Sequence, residues 1–294
     1  MSQKLGYIGL GKMGLALSKS LLNNGYDVYG YDIDPKRLEM LEEIGGNPVS
    51  SAKELAETCD IVFSILLKSD HIEENTFGDK GITKAEKKDC IFVEMSTMYP
   101  SWQADLSERL RNEGIEMLDA PISGSHPKVD DKTISIMVGG KKEIFDQVAP
   151  VLQSIAGNVH YTGLNGTGAT MKIVTNLFVN SNAALLAEMV LVGERAGLSN
   201  DTMMECLRTG SVQGAMLEQM APRLFERDFA PRGAVEIFVK DMGMAIELAE
   251  ENGIDLKVVK ASREMFKKAE NAGWGKDDAC RVIEVYEGKA GKEA

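Results

Sequence analysis

A glycine-rich turn near the start of the chain, Gly9-Leu10-Gly11-Lys12-Met13-Gly14, limits the possible folds more than any other segment. It lies between an apolar run, Lys4–Gly9, and a segment with helical apolar periodicity, Met13–Asn23. In a G-x-G-x-x-G turn of this kind the first glycine allows a tight turn, the second admits a pyrophosphate close to the backbone, and the third lets the helix pack on the strand. Free N–H groups at the helix N-terminus then attract the anion. The turn therefore predicts a dinucleotide-binding domain.

An acidic residue follows the glycines at the spacing that such a domain requires. Asp32 comes after the apolar run Asp27–Tyr31, roughly 20 residues beyond the turn, where a carboxylate can bind the adenosine ribose hydroxyls. A carboxylate would repel a ribose 2′-phosphate, which favours NAD over NADP. Lys36 and Arg37 could neutralise that phosphate, so NADP stays possible. The alternative interpretation is that Asp32 is a loop acid or the N-cap of the helix that starts at Pro35.

Short apolar runs alternate with helical segments through the first half of the chain. Six runs are predicted as strands: Lys4–Gly9, Asp27–Tyr31, Ile61–Leu66, Cys90–Glu94, Ile115–Leu118 and Ile134–Val138. Helical segments such as Pro35–Glu43 and Pro100–Asn112 separate them. Strands that alternate with helices form crossover units and hence a mostly parallel sheet. We expect an α/β Rossmann domain, a doubly wound sheet, over residues 1–163.

After residue 163 the strand pattern stops and helical patterns follow. Asn165–Arg195 contains no proline, and its middle, Ile173–Val192, is apolar on most faces, which predicts a long helix buried on several sides. Five further helices are predicted: Asn200–Arg208, Gly214–Leu224, Ile237–Asn252, Leu256–Ala272 and Lys276–Tyr286. We therefore expect an all-α C-terminal domain over residues 164–294, joined by the long helix, with enough apolar surface to form a homodimer or homotetramer.

Charge and cysteine content restrict the partners. The formal net charge of −12 repels phosphate backbones and anionic lipid headgroups, so we expect neither nucleic acid nor membrane as a partner. The cysteines lack the spacing of a metal site or a disulfide framework, which favours a reducing compartment; they are Cys59, Cys90, Cys206 and Cys280. No signal peptide is evident, so we expect a cytoplasmic protein. Because the cysteine spacing does not suit a metal site, we expect no metal.

Four motifs, in order along the chain, resemble those of the β-hydroxyacid dehydrogenase family, which includes 3-hydroxyisobutyrate dehydrogenase and the glyoxylate/succinic semialdehyde reductases. They are the glycine turn, the loop Asp119–Ser125 (D-A-P-I-S-G-S), the segment Gly163–Gly168 with its downstream lysine and asparagine, and Lys240-Asp241. The resemblance covers nearly the whole chain. It implies an oxidoreductase that moves a hydride between NAD(P) and a small 3-hydroxy acid or its semialdehyde.

The resemblance also implies roles for the residues around the substrate. Lys172 matches the catalytic lysine, and Asn176 matches the asparagine beside it. Ser123, Gly124 and Ser125 match the loop that holds the substrate carboxylate. A small anionic hydroxy acid or aldehyde is therefore the expected ligand.

Further residues are implied on the cofactor side. Besides the glycine turn (Gly9, Leu10, Gly11, Lys12, Met13 and Gly14) and Asp32, they are Leu66, Thr97 of the Ser96-Thr97 pair, and Lys240 of the second domain. NAD is the expected cofactor, with NADP as the alternative.

The spacing of Lys172 and Asn176 suits proton transfer. Residues four apart on a helix share a face, and Gly168, one turn earlier, is expected to leave room for a ligand near the backbone. A protonated lysine can donate a proton to a carbonyl oxygen as hydride arrives at carbon, and the neutral amine can accept it in reverse. A free lysine titrates near ~10.4, so base catalysis needs a lowered pKa, from burial or from Lys240. Asn176 would orient the lysine or the substrate.

Departures from the family pattern leave the substrate open. Ser125 replaces a glycine, as in the semialdehyde reductases, which prefer NADPH. Thr175 replaces the first asparagine of the usual pair, and His126, which could contact substrate, and Lys132 stand where small residues are common. An NADPH-dependent glyoxylate/succinic semialdehyde reductase is the alternative enzyme. A non-catalytic dinucleotide-binding protein is the alternative from another class, although retention of Lys172 disfavours it.

Overall fold

The computed structural model describes residues 3–124 and 127–291, which divide into two compact units. The first unit runs from Met1 to Lys172 and the second from Ile173 to Ala294. The division lies inside the long helix rather than at residue 163, where the strand pattern stops. The first turns of that helix belong to the sheet unit because they are hydrogen-bonded to it.

Nine strands form one sheet within the described part of the first unit: β1 Lys4–Ile8, β2 Asp27–Tyr31, β3 Asn47–Pro48, β4 Ile61–Ser64, β5 Ile91–Glu94, β6 Glu116–Asp119, β7 Ile122–Ser123, β8 Ser135–Gly139 and β9 Asn158–Gly163. The strand order is β3-β2-β1-β4-β5-β6-β8-β7, with β9 on β8. All pairs are parallel except those of β8 with β6 and β7. The predicted doubly wound, mostly parallel sheet is confirmed.

Helices cover both faces of this sheet: α1 Lys12–Asn23, α2 Pro35–Glu43, α3 Ala52–Thr58, α4 Ser69–Phe77, α5 Pro100–Asn112, α6 Pro127–Asp130 and α7 Lys142–Ile155. Alternate residues of a strand face opposite sides of a sheet. Tyr7 of β1 thus packs in one apolar cluster with Leu17 of α1, while Ile8 packs in the other with Leu55 of α3. The two clusters hold the carboxyl ends of the central strands at fixed positions.

The second unit is helical, as predicted. The long helix α8 (Thr167–Arg195) is followed by α9 Asn200–Thr209, α10 Ala215–Glu226, α11 Val235–Glu251, α12 Lys257–Ala269 and α13 Val282–Tyr286. Ala183, Ala187 and Val190 of α8 pack against Val239 and Phe266 in the core of this unit. The predicted final helix is shorter because Asp278 caps a preceding 3₁₀ turn.

Helix α8 is buried on several sides, as predicted, but one apolar face is exposed. Phe178, Leu185 and Val192 recur every seven residues and are 64%, 59% and 69% exposed, so the helix is not buried on that side. By length and composition α8 could also cross a membrane. Its other face packs in the core of the helical unit, and this burial accounts for the apolar residues on that face.

Candidate active site

The three glycines of the turn have different surroundings. Gly9 has a φ of +91°, and a Cβ there would lie 2.5 Å from the carbonyl oxygen of Ile65. A Cβ on Gly14 would overlap the carbonyl oxygen of Gly9, so this glycine lets α1 pack on β1. A Cβ on Gly11 would meet nothing within 4 Å. Gly11 therefore presents open space, as a backbone that approaches a pyrophosphate requires.

The N-terminus of α1 suits an anion. Its N-cap residue is Gly11, no described side chain caps it, and no acidic residue lies in its first turn. Lys12 is exposed and Met13 half-buried in that turn. Since the first N–H groups of a helix have no partner within the helix and carry a partial positive charge, this end can hold a phosphate.

Asp32 is tied to the glycine turn. Its Oδ2 accepts a hydrogen bond from the N–H of Leu10 at 2.7 Å, and its Oδ1 accepts one from the N–H of Asp34 at 2.9 Å. Asp34, not Asp32, caps α2, since it accepts from the N–H of Lys36. The side chain of Leu10 is fully buried, so only its backbone can face a ligand.

Leu66 and Ser96 connect the carboxyl ends of β4 and β5. The N–H of Leu66 donates to Ser96 Oγ at 2.9 Å, and the N–H of Ser96 donates to Glu94 Oε1 at 2.6 Å. Thr97 follows, half-buried. Together with the glycine turn and Asp32, these residues lie at neighbouring strand ends, because the sheet runs β2-β1-β4-β5. The strand order reverses beside β1, which is where open α/β sheets bind their ligands.

Glu94 was missed from the sequence, since it ends an apolar run without a motif. Its side chain is fully buried, and burial raises its pKa to about 7; the charge of Asp119, its neighbour in the sheet, adds to the rise. Tyr7 is also buried near Glu94, and its hydroxyl group donates a hydrogen bond to the sulfur of Met95. Glu94 therefore takes up a proton on folding in neutral and mildly acidic solution.

Glu94→Gln is expected to flatten the pH dependence of stability. The folded state binds the extra proton between the ordinary glutamate pKa near ~4.3 and about 7. The contribution is therefore present at low pH and lost as pH rises through about 7. Urea unfolding of the parent should show a falling free energy from pH ~5 to ~8, and the variant a smaller fall. The exposed Glu39→Gln serves as control; a parental slope in Glu94→Gln would contradict the expectation.

Asp119, at the end of β6, is also fully buried. Its Oδ1 accepts from the N–H of Gly166 at 2.8 Å and its Oδ2 from the N–H of Ala169 at 2.9 Å. Burial raises its pKa to about 6, although these N–H groups oppose the rise. The expectation that Gly168 leaves room for a ligand is wrong: a Cβ there would lie 2.6 Å from the carbonyl oxygen of Met137 and 2.7 Å from that of Asp119. Gly168 instead lets α8 approach the sheet.

The loop after β6 carries the predicted substrate residues. Ser123 ends β7, is half-buried and pairs with Ser135 of β8. Gly124 is exposed with a φ of +132°, and a Cβ there would lie 2.9 Å from Ile134, so the backbone itself requires glycine. Ser125 and His126 lie outside the described residues.

Lys172 is half-buried on the second turn of α8, and Asn176 is buried one turn further along. The amide of Asn176 donates to Asp241 Oδ2 at 2.7 Å, and Lys240, 47% exposed, lies 3.4 Å from Asp241 Oδ1. Asp241, buried on α11, was not assigned a role from the sequence although its motif was recognised. Asn176 is thus bonded to Asp241, and its expected task of orienting the lysine or the substrate stays a prediction.

Family comparisons match both halves of the chain. A family described as the NAD binding domain of 6-phosphogluconate dehydrogenase matches residues 4–163. A second, described as NAD-binding of NADP-dependent 3-hydroxyisobutyrate dehydrogenase, matches residues 166–286.

Individual relatives are similar over nearly their whole length. L-Threonate dehydrogenase of Cupriavidus necator is 32% identical over 98% of this chain and 97% of its own. 2-(Hydroxymethyl)glutarate dehydrogenase of Eubacterium barkeri is 31% identical over 99% and 97%. The crystal structure of 3-hydroxyisobutyrate dehydrogenase from Salmonella typhimurium has a TM-score of 0.87 at 29% identity, over 97% of this chain and 100% of that one.

Proposed function

The chain belongs to the β-hydroxyacid dehydrogenase family and is an NAD(P)-dependent oxidoreductase of hydroxy acids, and on this premise we propose that Lys172 is its general acid and base. One observation carries the proposal. The start of α8 is bonded to Asp119 at the end of β6, so the helix that contains Lys172 begins at the strand that leads to Ser123. The side chain of Lys172 on this helix is half-buried.

The described residues fit a dinucleotide. Gly11 leaves the space, the N-terminus of α1 supplies the N–H groups, and Asp32 stands at the end of β2. Two exposed apolar side chains, Ile33 after β2 and Leu67 after β4, flank this region and suit an adenine ring. When bound, the nicotinamide supplies or accepts the hydride.

Lys172 performs the proton transfer in this proposal. In the reductive direction its ammonium group donates a proton to the carbonyl oxygen of the substrate, and in the oxidative direction its neutral amine removes the hydroxyl proton. Ser123 and Gly124 hold the substrate carboxylate through a hydroxyl and backbone N–H groups, with Ser125 continuing that loop. Asn176 orients the substrate or the lysine, and Lys240 contacts the cofactor.

The substrate in this proposal is a small 3-hydroxy acid or its semialdehyde. The named relatives act on L-threonate and 2-(hydroxymethyl)glutarate, both hydroxy acids. The serine-glycine-serine sequence of residues 123–125 favours a second candidate, an NADPH-dependent semialdehyde reductase.

A panel of hydroxy acids and semialdehydes, offered with NAD(H) and NADP(H) in parallel, tests the function. Reduced nicotinamide is followed by its absorbance. Turnover with a hydroxy acid and NAD supports the first candidate, and turnover limited to aldehydes with NADPH supports the second. Bound cofactor without turnover on any member would contradict both.

Asp32→Ala is expected to weaken NADH binding about tenfold, since a hydrogen bond to a charged group contributes ~1.5 kcal/mol or more. NADPH binding should weaken less, because repulsion of the 2′-phosphate is relieved. Fluorescence titration of both cofactors measures this. Asp32→Asn, which keeps the shape and one acceptor, separates loss of charge from loss of the bond to Leu10. Equal weakening of NADH and NADPH in both variants would contradict the preference for NAD.

We also propose that the enzyme is a homodimer or homotetramer that covers the exposed stripe Phe178, Leu185 and Val192. Exposed apolar patches of this kind mark protein–protein contacts. A groove of about 840 Å³ beside the stripe, between α8 and α12, continues the apolar surface through Leu177 and Val258.

Leu185→Glu is expected to dissociate the oligomer, because a charge in an apolar interface must lose its hydration. Light scattering after size-exclusion chromatography gives the mass. Lys267→Glu, on another face of α12, should leave the mass unchanged. A parental mass for Leu185→Glu, or a monomeric parent, would contradict the proposed interface.

The proposal places the enzyme in the cytoplasm as a soluble protein without nucleic-acid or membrane partners. Its net charge of −12 supports this, and the four cysteines are all free thiols in the structure.

A further inference from the structure

The buried carboxylate of Asp119 joins two segments of the candidate site. Asp119 is the last residue of β6 and lies four residues before Ser123. The same carboxylate accepts the N–H groups of Gly166 and Ala169, which lie at the start of α8. Lys172 follows Ala169 by three residues, which is less than one helical turn.

Close packing fixes the carboxylate in this position. A Cβ on Gly139 of β8 would lie 2.6 Å from Asp119 Oδ1, and a Cβ on Gly168 would lie 2.8 Å from Asp119 Oδ2. Both glycines therefore make space for the two carboxylate oxygens. Because the backbone on either side is in contact, the first turn of α8 has little freedom to shift relative to β6 while the carboxylate is bonded.

The charge of the Asp119 carboxylate also suits its position at the N-terminus of α8. The first turn of α8 contains no acidic residue of its own. Its N–H groups and positive dipole end are instead satisfied by a carboxylate from a strand 47 residues earlier in the chain than Gly166. This differs from α2 and α3, whose caps are the local residues Asp34 and Ser51.

We propose that Asp119 is a positioning residue, which holds the Lys172 end of α8 in register with the substrate loop. The inference rests on the proposed role of Lys172. Asp119 is fully buried and bonded to the start of α8, so it acts by setting where the lysine stands relative to Ser123. A displacement of about 1 Å in a catalytic group can lower a rate about 100-fold.

Asp119→Asn tests the inference. The amide keeps the shape, but its NH₂ group meets an N–H donor, so one of the two bonds to Gly166 and Ala169 is lost. We expect kcat to fall about 100-fold, the Kd for NADH to stay at its parental value, and amide exchange in the segment 164–172 to accelerate. Ser51→Ala removes the cap of α3, a helix without site residues, and should leave kcat and exchange in 164–172 unchanged.

A measurement on the parent protein keeps the inference testable if Asp119→Asn folds poorly. The N–H groups of Gly166 and Ala169 should exchange slowly, like those of the sheet, whereas those of Lys12 and Met13, at the uncapped start of α1, should exchange fast. Equal, fast exchange at both helix starts would overturn the inference.

Lys172→Ala, measured in parallel, separates this inference from the proposed function. If Lys172→Ala loses turnover and Asp119→Asn keeps its kcat per folded protein, the positioning role is wrong and the role of Lys172 stands. If Lys172→Ala keeps turnover while exchange in 164–172 still depends on Asp119, the proposed role of Lys172 is wrong and Asp119 has a purely structural role.

Discussion

Lys172→Ala is expected to lower kcat about 10³-fold and to leave the Kd for NADH unchanged. Alanine removes the group that exchanges a proton with the substrate oxygen, so hydride transfer would have to produce or consume an unstabilised alkoxide. The glycine turn, Asp32 and Leu66, on which we propose that the cofactor binds, lie elsewhere on the sheet unit. Steady-state kinetics and fluorescence titration of NADH measure the two effects separately.

Two further variants make this expectation specific. Lys172→Arg keeps the positive charge, but a guanidinium does not release its proton at accessible pH, so this variant should be nearly as slow as alanine. Lys19→Ala removes an exposed lysine from α1 and should have parental kinetics. Parental kcat in Lys172→Ala would contradict the role, and recovery in Lys172→Arg would limit it to electrostatics.

Gly14→Ala is expected mainly to lower the stability of the fold, and Gly11→Ala mainly to weaken NADH binding. A methyl group on Gly14 overlaps the carbonyl oxygen of Gly9, so α1 must move away from β1 and the unfolding free energy should fall by about 3 kcal/mol. A methyl group on Gly11 meets no protein atom within 4 Å, and its φ of −63° suits alanine, so stability should change by less than about 1 kcal/mol.

For cofactor binding, Gly11→Ala is expected to have the large effect. The Gly11 methyl group would occupy the space where the pyrophosphate must approach the backbone. The Kd for NADH should therefore rise at least tenfold, which is about 1.4 kcal/mol. Urea unfolding without cofactor and fluorescence titration with it give both quantities for each variant. Normal NADH binding by a stable Gly11→Ala protein would contradict the assignment of the turn.

The sequence predicted those elements whose residue pattern reflects their burial. Strands β1, β2, β4 and β5 are apolar because helices cover both faces, and Pro35 and Pro100 start α2 and α5 where expected. Strand β9 was missed because all of its residues are exposed or half-buried, so they form no apolar run. Strands β3 and β7 are only two residues long and give no periodic signal.

The candidate site was predictable where a motif names a residue, but not where two distant segments meet. The position of Asp32 after β2 follows from spacing alone, whereas its bond to Leu10 does not. Asp119 was part of a recognised loop, yet its bonds to Gly166 and Ala169 depend on how α8 meets the sheet. Tertiary pairing of this kind leaves no local signal in one sequence.

Chemical rescue of Lys172→Ala by small primary amines tests the central claim most directly. A soluble amine can enter the space that the lysine leaves and exchange the proton in its place. We predict that methylamine or ethylamine restores turnover in a saturable manner. Tetramethylammonium carries the same positive charge but has no N–H proton to transfer, so it should not restore turnover. Lys19→Ala should respond to neither. If no amine restores turnover to a variant that still binds NADH, or if tetramethylammonium restores it equally, proton transfer by Lys172 is contradicted.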